Sequence, residues 1–148
     1  TQAAVDNATI VSIDLPGGEF GGAFPSCRIP FYESFARPSQ HLHLVRADSH
    51  APETVQRVRS LFGTELIDFA FIDGDHTYEG VKADYRLYSP MVRPGGIIAF
   101  HDILPRPDLP DIQVNRLWNE IKGNCSSEEI IGLPGTGRQI GIGVIHVT

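Results

Sequence analysis

Four short apolar segments, each running into an acidic or imidazole side chain, constrain this chain more than any other feature. They are residues 9–14 (TIVSID), 41–46 (HLHLVR), 67–72 (IDFAFI) and 96–100 (GIIAF). Their length and their Ile, Val, Leu and Phe content mark them as buried strands, of the kind covered on both faces in parallel sheets. Helical patterns separate them. Residues 52–62 open with Pro and Glu and place Val55, Val58, Leu61 and Phe62 on one face. Residues 78–91 bring Val81, Tyr85 and Tyr88 near one stripe, ahead of an Arg93-Pro-Gly-Gly stop. Residues 111–122 offer Ile112, Val114, Leu117, Trp118 and Ile121 as an apolar face, with Trp118 assigned to the core. Strand alternating with helix predicts an α/β fold with a parallel sheet and right-handed crossovers.

The ends read differently. Residues 17–38 are rich in Gly, Pro and aromatics, and are expected as a long loop with one helical turn that walls a pocket. Residues 129–133 and 141–147 flank Pro134-Gly-Thr-Gly and predict an antiparallel hairpin closing one side of the sheet. Gly135-Thr-Gly137 is a turn, because no strand–GxGxxG–helix context surrounds it.

At 148 residues the chain is expected to form one domain, over 1–148. A formal net charge of −6 disfavours a broad nucleic-acid or anionic-membrane surface, so no nucleic acid and no membrane is expected as partner. Cys27 and Cys125 lie far apart, with neither metal-like spacing nor a disulfide framework, and a reduced, cytoplasmic setting is expected. No apolar run is long enough to span a bilayer. A homo-oligomer is neither required nor excluded.

Ligands of open α/β sheets bind outside the carboxyl ends of the strands. Here those ends carry Asp14, then Asp48-Ser49, then Asp73-Gly-Asp75-His76, then His101-Asp102. Crowded carboxylates repel one another, so a cation or a hydroxyl-rich ligand is needed to offset them. Asp14 suits the hydroxyls of a ribose. Asp48 suits a ligand and a turn or cap ahead of the 52–62 helix equally well. Asp73, His101 and Asp102 suit a hard or borderline divalent cation, and the imidazole admits manganese or another transition ion beside magnesium. The bland alternative makes His101 a strand end and Asp102 a turn residue. His76 suits a general base, with a first-turn role in the following helix as the alternative, and Asp75 is expected as that helix's N-cap. His41 and His43 alternate on a strand, and His50 is a weaker ligand candidate.

The segments Ser12-Ile-Asp14, Arg46-Ala-Asp48-Ser49, Phe71-Ile-Asp-Gly-Asp-His76 and Gly95-Gly-Ile-Ile-Ala-Phe-His-Asp102 resemble the class I S-adenosylmethionine-dependent methyltransferases. The nearest likeness is the methyltransferase-24-type branch, related to the cation-dependent catechol and caffeoyl-CoA O-methyltransferases. The resemblance implies a Rossmann-like, mainly parallel sheet with helices on both faces. It implies S-adenosylmethionine as cofactor, a divalent metal (Mg or Mn), and a small-molecule hydroxyl as methyl acceptor. Asp14 would hold the cofactor's ribose, Asp48 and Ser49 would sit by its adenine, and Asp73 would border it. Asp73, His101 and Asp102 would be metal ligands. His76 falls where the catechol enzymes place a lysine base. The family opens its cofactor site with a strand and a glycine-rich loop, roughly E-x-G-x-x-x-G. The thirteen residues before Asp14 contain no glycine, so a partial domain lacking that N-terminal strand is expected.

Three rival functions fit parts of the pattern. Asp73-Gly-Asp75-His76-Thr77 matches the D-x-D-x-[TV] motif of haloacid-dehalogenase-type phosphatases, with Asp73 as nucleophile and Asp75 as acid/base. The same carboxylates could serve a D-x-D glycosyltransferase. A truncated domain that only binds a partner is the non-enzymatic alternative.

Overall fold

The computed structural model describes residues 6–18, 21–132 and 141–148. The expected turn at Pro134-Gly-Thr-Gly lies outside the described residues. The chain forms two compact units, Thr1–Gly63 and Thr64–Thr148.

The first unit contains β1 (Ala8–Asp14), α1 (Ile29–Glu33), β2 (Gln40–Arg46) and α2 (Pro52–Phe62). β1 and β2 run parallel in unbroken register from Ala8 opposite Gln40 to Asp14 opposite Arg46. Pro52 starts α2, Glu53 and Arg59 complement its dipole, and Gly63 closes it at φ 62°, a conformation that favours glycine. Val55 and Val58 are buried as their spacing predicts, and Val45 is the most deeply buried residue of β2. Within residues 17–38, a 3-10 turn at Ser26–Arg28 leads into the short α1.

The second unit contains β3 (Ile67–Ile72), α3 (Tyr78–Tyr88), β4 (Val92–Phe100), α4 (Val114–Ile121), β5 (Ser126–Ile131) and β6 (Gly141–His146). Its sheet has the order β3-β4-β6-β5, distinct from the two-stranded β1-β2 sheet. β3 and β4 are parallel, while β6 is antiparallel to both β4 and β5. The expected hairpin therefore supplies both antiparallel ladders. β4 begins earlier than the sequence suggests. Arg93-Pro-Gly-Gly, expected as a helix stop, lies inside the strand. Val92 pairs with Ile67, Gly95 at φ 76° donates to Val147, and Gly96 accepts from it.

The core of this unit joins Ile72, Ile98, Phe100 and Ile145 of the sheet to Val81 of α3 and to Val114, Leu117 and Trp118 of α4. Phe100 contacts Tyr85 and Trp118, with ring centroids 5.6 Å and 5.9 Å away. Trp118 lies flat enough on β6 that a Cβ at Gly143 would come within 2.7 Å of its ring. Trp118 is thus a core residue, as its spacing predicts.

Trp118 Nε1 donates to the Glu129 carboxylate at 2.6 Å, and Lys122 Nζ donates to the same oxygen at 2.8 Å. The Lys122 bond first, then the Trp118 bond, hold the Glu129 carboxyl below its ordinary value near 4.5. The stability linked to this carboxylate is therefore present above that value and lost as pH falls through the lower folded-state value. Trp118 is the chain's single tryptophan. Its emission is expected to change on acidification below about pH 4.5 in the native protein. Glu129→Gln should remove that step, and superimposable titrations of the two proteins would count against it. Among the described residues, no helix is long and apolar enough to cross a membrane.

Candidate active site

In the second unit the parallel pairing of β3 and β4 points both carboxyl ends the same way. One further backbone bond, His101 N to Ile72 O at 3.1 Å, extends the ladder past the strand ends. It sets Asp73 and His101 side by side. After Asp73 the chain folds over the start of α3. Asp75 Oδ1 accepts the Thr77 N–H at 2.8 Å, and Thr77 Oγ1 accepts the Gly80 N–H at 3.1 Å. The N-cap is therefore Thr77, not Asp75. Asp75 shapes the preceding turn, and its carboxyl packs so closely on Gly80 that a Cβ there would lie 2.1 Å from Asp75 Cγ. This turn directs His76 back towards Asp73, and the His76 carbonyl accepts the Gln113 N–H at 2.7 Å.

Four side chains meet as a result. His76 Nε2 and His101 Nδ1 each lie 3.0 Å from the same oxygen, Asp73 Oδ1. Asp102 Oδ2 lies 3.2 Å from His76 Nδ1 and 3.6 Å from His101 Nδ1. Asp73, His76 and His101 each offer a ligand atom within 4.8 Å of the others, a group that does not include Asp102. The Asp102 side chain is 7% exposed, against 41% for Asp73. Its backbone is left-handed at φ 57°, and it is the one non-glycine residue with positive φ among those described. Such a conformation costs on the order of 1 kcal/mol or more and persists where surrounding contacts enforce it. Here it carries the carboxylate inward, against both imidazoles.

The electrostatics follow from the geometry. The hydrogen bond to Asp73 raises the His76 pKa above 6.5; burial opposes the rise, and the charges of Asp73, Asp102 and Asp75 add to it. His101 Nδ1 is different. It is buried and makes no hydrogen bond, although Asp73 Oδ1 is 3.0 Å away. A nitrogen that faces a carboxylate at contact distance without bonding to it suits a shared cation better than a strand-end hydrogen bond. Phe71 meets the His101 ring edge-on at 6.3 Å. By donor chemistry the cluster can hold a divalent cation.

The other candidates lie in the first unit. Asp14 Oδ2 accepts the N–H groups of Gly22 (2.8 Å) and Ala23 (2.6 Å), and so anchors the loop after β1. Asp48 Oδ1 accepts the His50 N–H at 2.8 Å in a turn ahead of α2, whose N-cap position is Ala51. Asp48 is thus a turn residue rather than the cap itself. Ser49 is partly buried in the same turn. Residues 23–35 and β2 line an open groove of about 280 Å³, bordered by Ala23, Phe24, Tyr32, Phe35, Leu42 and Leu44. His41 is exposed and His43 half-buried on β2.

The sequence reading missed Asp84. It is a buried carboxylate on α3, 5% exposed, beneath Gly74. An acidic residue on the same stripe as Val81 and Tyr88 was the available signal.

The cluster stands at the carboxyl ends of two parallel strands, the place where open α/β proteins bind their ligands. A family profile described as a methyltransferase domain matches residues 1–103, and the chain belongs to that family, of the class I S-adenosylmethionine-dependent type. An uncharacterized protein of Acanthamoeba polyphaga mimivirus is 38% identical over 71 residues, covering 45% of this chain and 32% of the relative. A TDP-rhamnose 3'-O-methyltransferase of calicheamicin biosynthesis superposes with a TM-score of 0.61 at 23% identity, over 93% of this chain and 58% of its own. An O-methyltransferase from Bacillus cereus, in complex with SAH, gives 0.58 at 14% identity, over 95% and 74%. MycE of mycinamycin biosynthesis, in complex with Mg, SAH and mycinamycin VI, gives 0.51 at 15% identity, over 93% and 44%. These likenesses show the fold, a Rossmann-like mixed α/β architecture. The chain spans 32% of the mimivirus relative and 58% of the calicheamicin enzyme.

Proposed function

We propose that this chain carries out S-adenosylmethionine-dependent methyl transfer to a hydroxyl of a small molecule, assisted by a divalent cation. The observation that carries this reading is the convergence of Asp73, His76, His101 and Asp102 at two parallel strand ends, in a chain of the methyltransferase family. The family match, over residues 1–103, crosses the Gly63/Thr64 division, which supports one functional domain spanning that division. It also argues against the phosphatase and glycosyltransferase alternatives. For the phosphatase, Asp75 is in addition committed to the Thr77 turn.

In this reading Asp73, His101 and Asp102 hold the cation, and Asp14, Asp48, Ser49 and Asp73 border the cofactor. S-adenosylmethionine supplies the methyl group on an electrophilic sulfonium. The cation supplies Lewis acidity that lowers the acceptor hydroxyl's pKa. His76 takes the hydroxyl proton, and the carboxylates of Asp73 (3.0 Å) and Asp102 (3.2 Å) stabilise the imidazolium that results. Asp14 supports the cofactor side by fixing Gly22 and Ala23, and its Oδ2 is occupied in doing so. The other oxygen is the one assigned to the ribose. The TDP-rhamnose on which the calicheamicin-biosynthesis enzyme acts supports a sugar hydroxyl as the acceptor. The free thiols of Cys27 and Cys125 support a reduced, cytoplasmic setting.

The test is transfer of a labelled methyl group from S-adenosylmethionine to a panel of hydroxylated acceptors in the presence of manganese. His76→Gln is expected to lower turnover by about 10²- to 10⁴-fold, the usual range for a general base. Equal turnover by both proteins would remove His76 from that role.

A further inference from the structure

We infer that this centre selects a borderline divalent transition ion over magnesium, and that His101 sets the choice. The inference rests on the reading that a cation is held here, and adds which class of cation. Magnesium takes oxygen ligands in near-ideal octahedra and keeps several waters, whereas imidazole suits ions of the zinc, cobalt and iron class.

Three observations put an imidazole inside the ligand shell. His101 Nδ1 is buried and makes no hydrogen bond, yet lies between two carboxylates, 3.0 Å from Asp73 Oδ1 and 3.6 Å from Asp102 Oδ2. Adjacent ligands of an octahedral ion with bonds near 2.1 Å sit about 3 Å apart, which matches the Asp73–His101 separation. The His101 backbone N–H is bonded to Ile72 O, which fixes the position of the residue at the strand end, and the Phe71 ring lies 6.3 Å from the imidazole, centroid to centroid. A cation that uses Asp73 Oδ1 therefore meets nitrogen at contact distance. An all-oxygen shell would require that ring to turn away and leave its place to water. His76 presents a second imidazole at 3.0 Å from the same oxygen, and Asp102 engages its other nitrogen. Both nitrogens of His76 thus have a carboxylate partner, whereas His101 Nδ1 makes no hydrogen bond. The selecting ligand is thus His101, on the strand end beside Asp73.

The experiment is calorimetric titration of the metal-stripped full chain with cobalt(II) and, separately, with magnesium. Cobalt is expected to bind the more tightly. His101→Asp, which restores an oxygen donor, is expected to reduce the cobalt-to-magnesium affinity ratio by about 10- to 100-fold, the scale on which ligand-environment changes act. His76→Gln is expected to leave the ratio within about threefold of native, since in this account it is not the selecting ligand. An unchanged ratio in His101→Asp, a collapse confined to His76→Gln, magnesium binding as tightly as cobalt, or no binding of either ion would each overturn the inference. Should His101→Asp fail to fold, cobalt-edge X-ray absorption of the native complex decides. Imidazole scattering supports the assignment, and an oxygen-only shell overturns it. Cofactor binding is measured apart. Loss of S-adenosylmethionine binding with the ion preference intact would overturn the methyltransferase reading alone.

Discussion

Asp73→Asn is expected to weaken divalent-ion binding by at least about 100-fold while leaving the fold intact, a loss no smaller than those caused by changes outside the ligand shell. Asp73 Oδ1 is the atom on which the whole cluster turns, with His76 Nε2 and His101 Nδ1 both 3.0 Å from it. Asparagine preserves shape and removes the charge. A neutral amide oxygen is a weaker ligand for a divalent ion, and among the described residues Asp102 is then the carboxylate that remains within 4 Å of both rings. The side chain is 41% exposed, so the substitution leaves no cavity. Calorimetry with manganese measures the loss, and far-ultraviolet circular dichroism checks the fold. Undiminished affinity in a folded variant would place the cation elsewhere.

Phe100→Ala is expected to destabilise the second unit by about 3–5 kcal/mol, the range for removing a buried aromatic ring. Phe100 is 0% exposed and its ring meets both Tyr85 of α3 and Trp118 of α4. Its removal takes away the ring that both helices share, in an interior with little room to collapse. The loss is comparable with the whole stability of a marginal domain. It also reaches the site, because His101 and Asp102 follow Phe100 directly and Asp102 depends on surrounding packing to keep its left-handed backbone. Urea denaturation followed by Trp118 emission measures the effect. A shift below about 1 kcal/mol would mean that the core does not depend on this ring as described.

Much of this was legible in the residues because parallel strands and their ends leave a strong local signature. The apolar runs at β1, β2 and β3 begin and end within a residue of the observed strands. α2 matches to the residue, since Pro52 and Gly63 mark both ends chemically. The meeting of Asp73, His76, His101 and Asp102 was legible for the same reason, as it follows from two parallel strands placed side by side.

What escaped the sequence depends on contacts distant along the chain. Turn-forming Arg93-Pro-Gly-Gly became part of β4 because Val147 holds Gly95 and Gly96 by backbone bonds. The α4 helix starts at Val114 rather than near Asp111, because residues 109–112 form a turn in which the Ile112 N–H reaches Leu109 O. Thr77 displaced Asp75 as cap because both can bond backbone amides, and only the packing of Asp75 on Gly80 decides between them. Among the described residues the ladders run β1-β2 and β3-β4-β6-β5, an order of neighbours that the strands' own residues do not specify. Pairing partners are not written in the apolar pattern of a strand. The left-handed Asp102 was equally invisible, because aspartate tolerates many backbone states.

The central claim is that the four-residue cluster serves a methyl-transfer reaction. Its most direct test is calorimetric binding of S-adenosylmethionine to the natural protein, with and without manganese, in the native sequence and in Asp14→Ala. The account predicts saturable one-to-one binding that Asp14→Ala weakens by about tenfold or more, as expected for losing a hydrogen-bonded charged group. No binding to the native protein under either condition would contradict it.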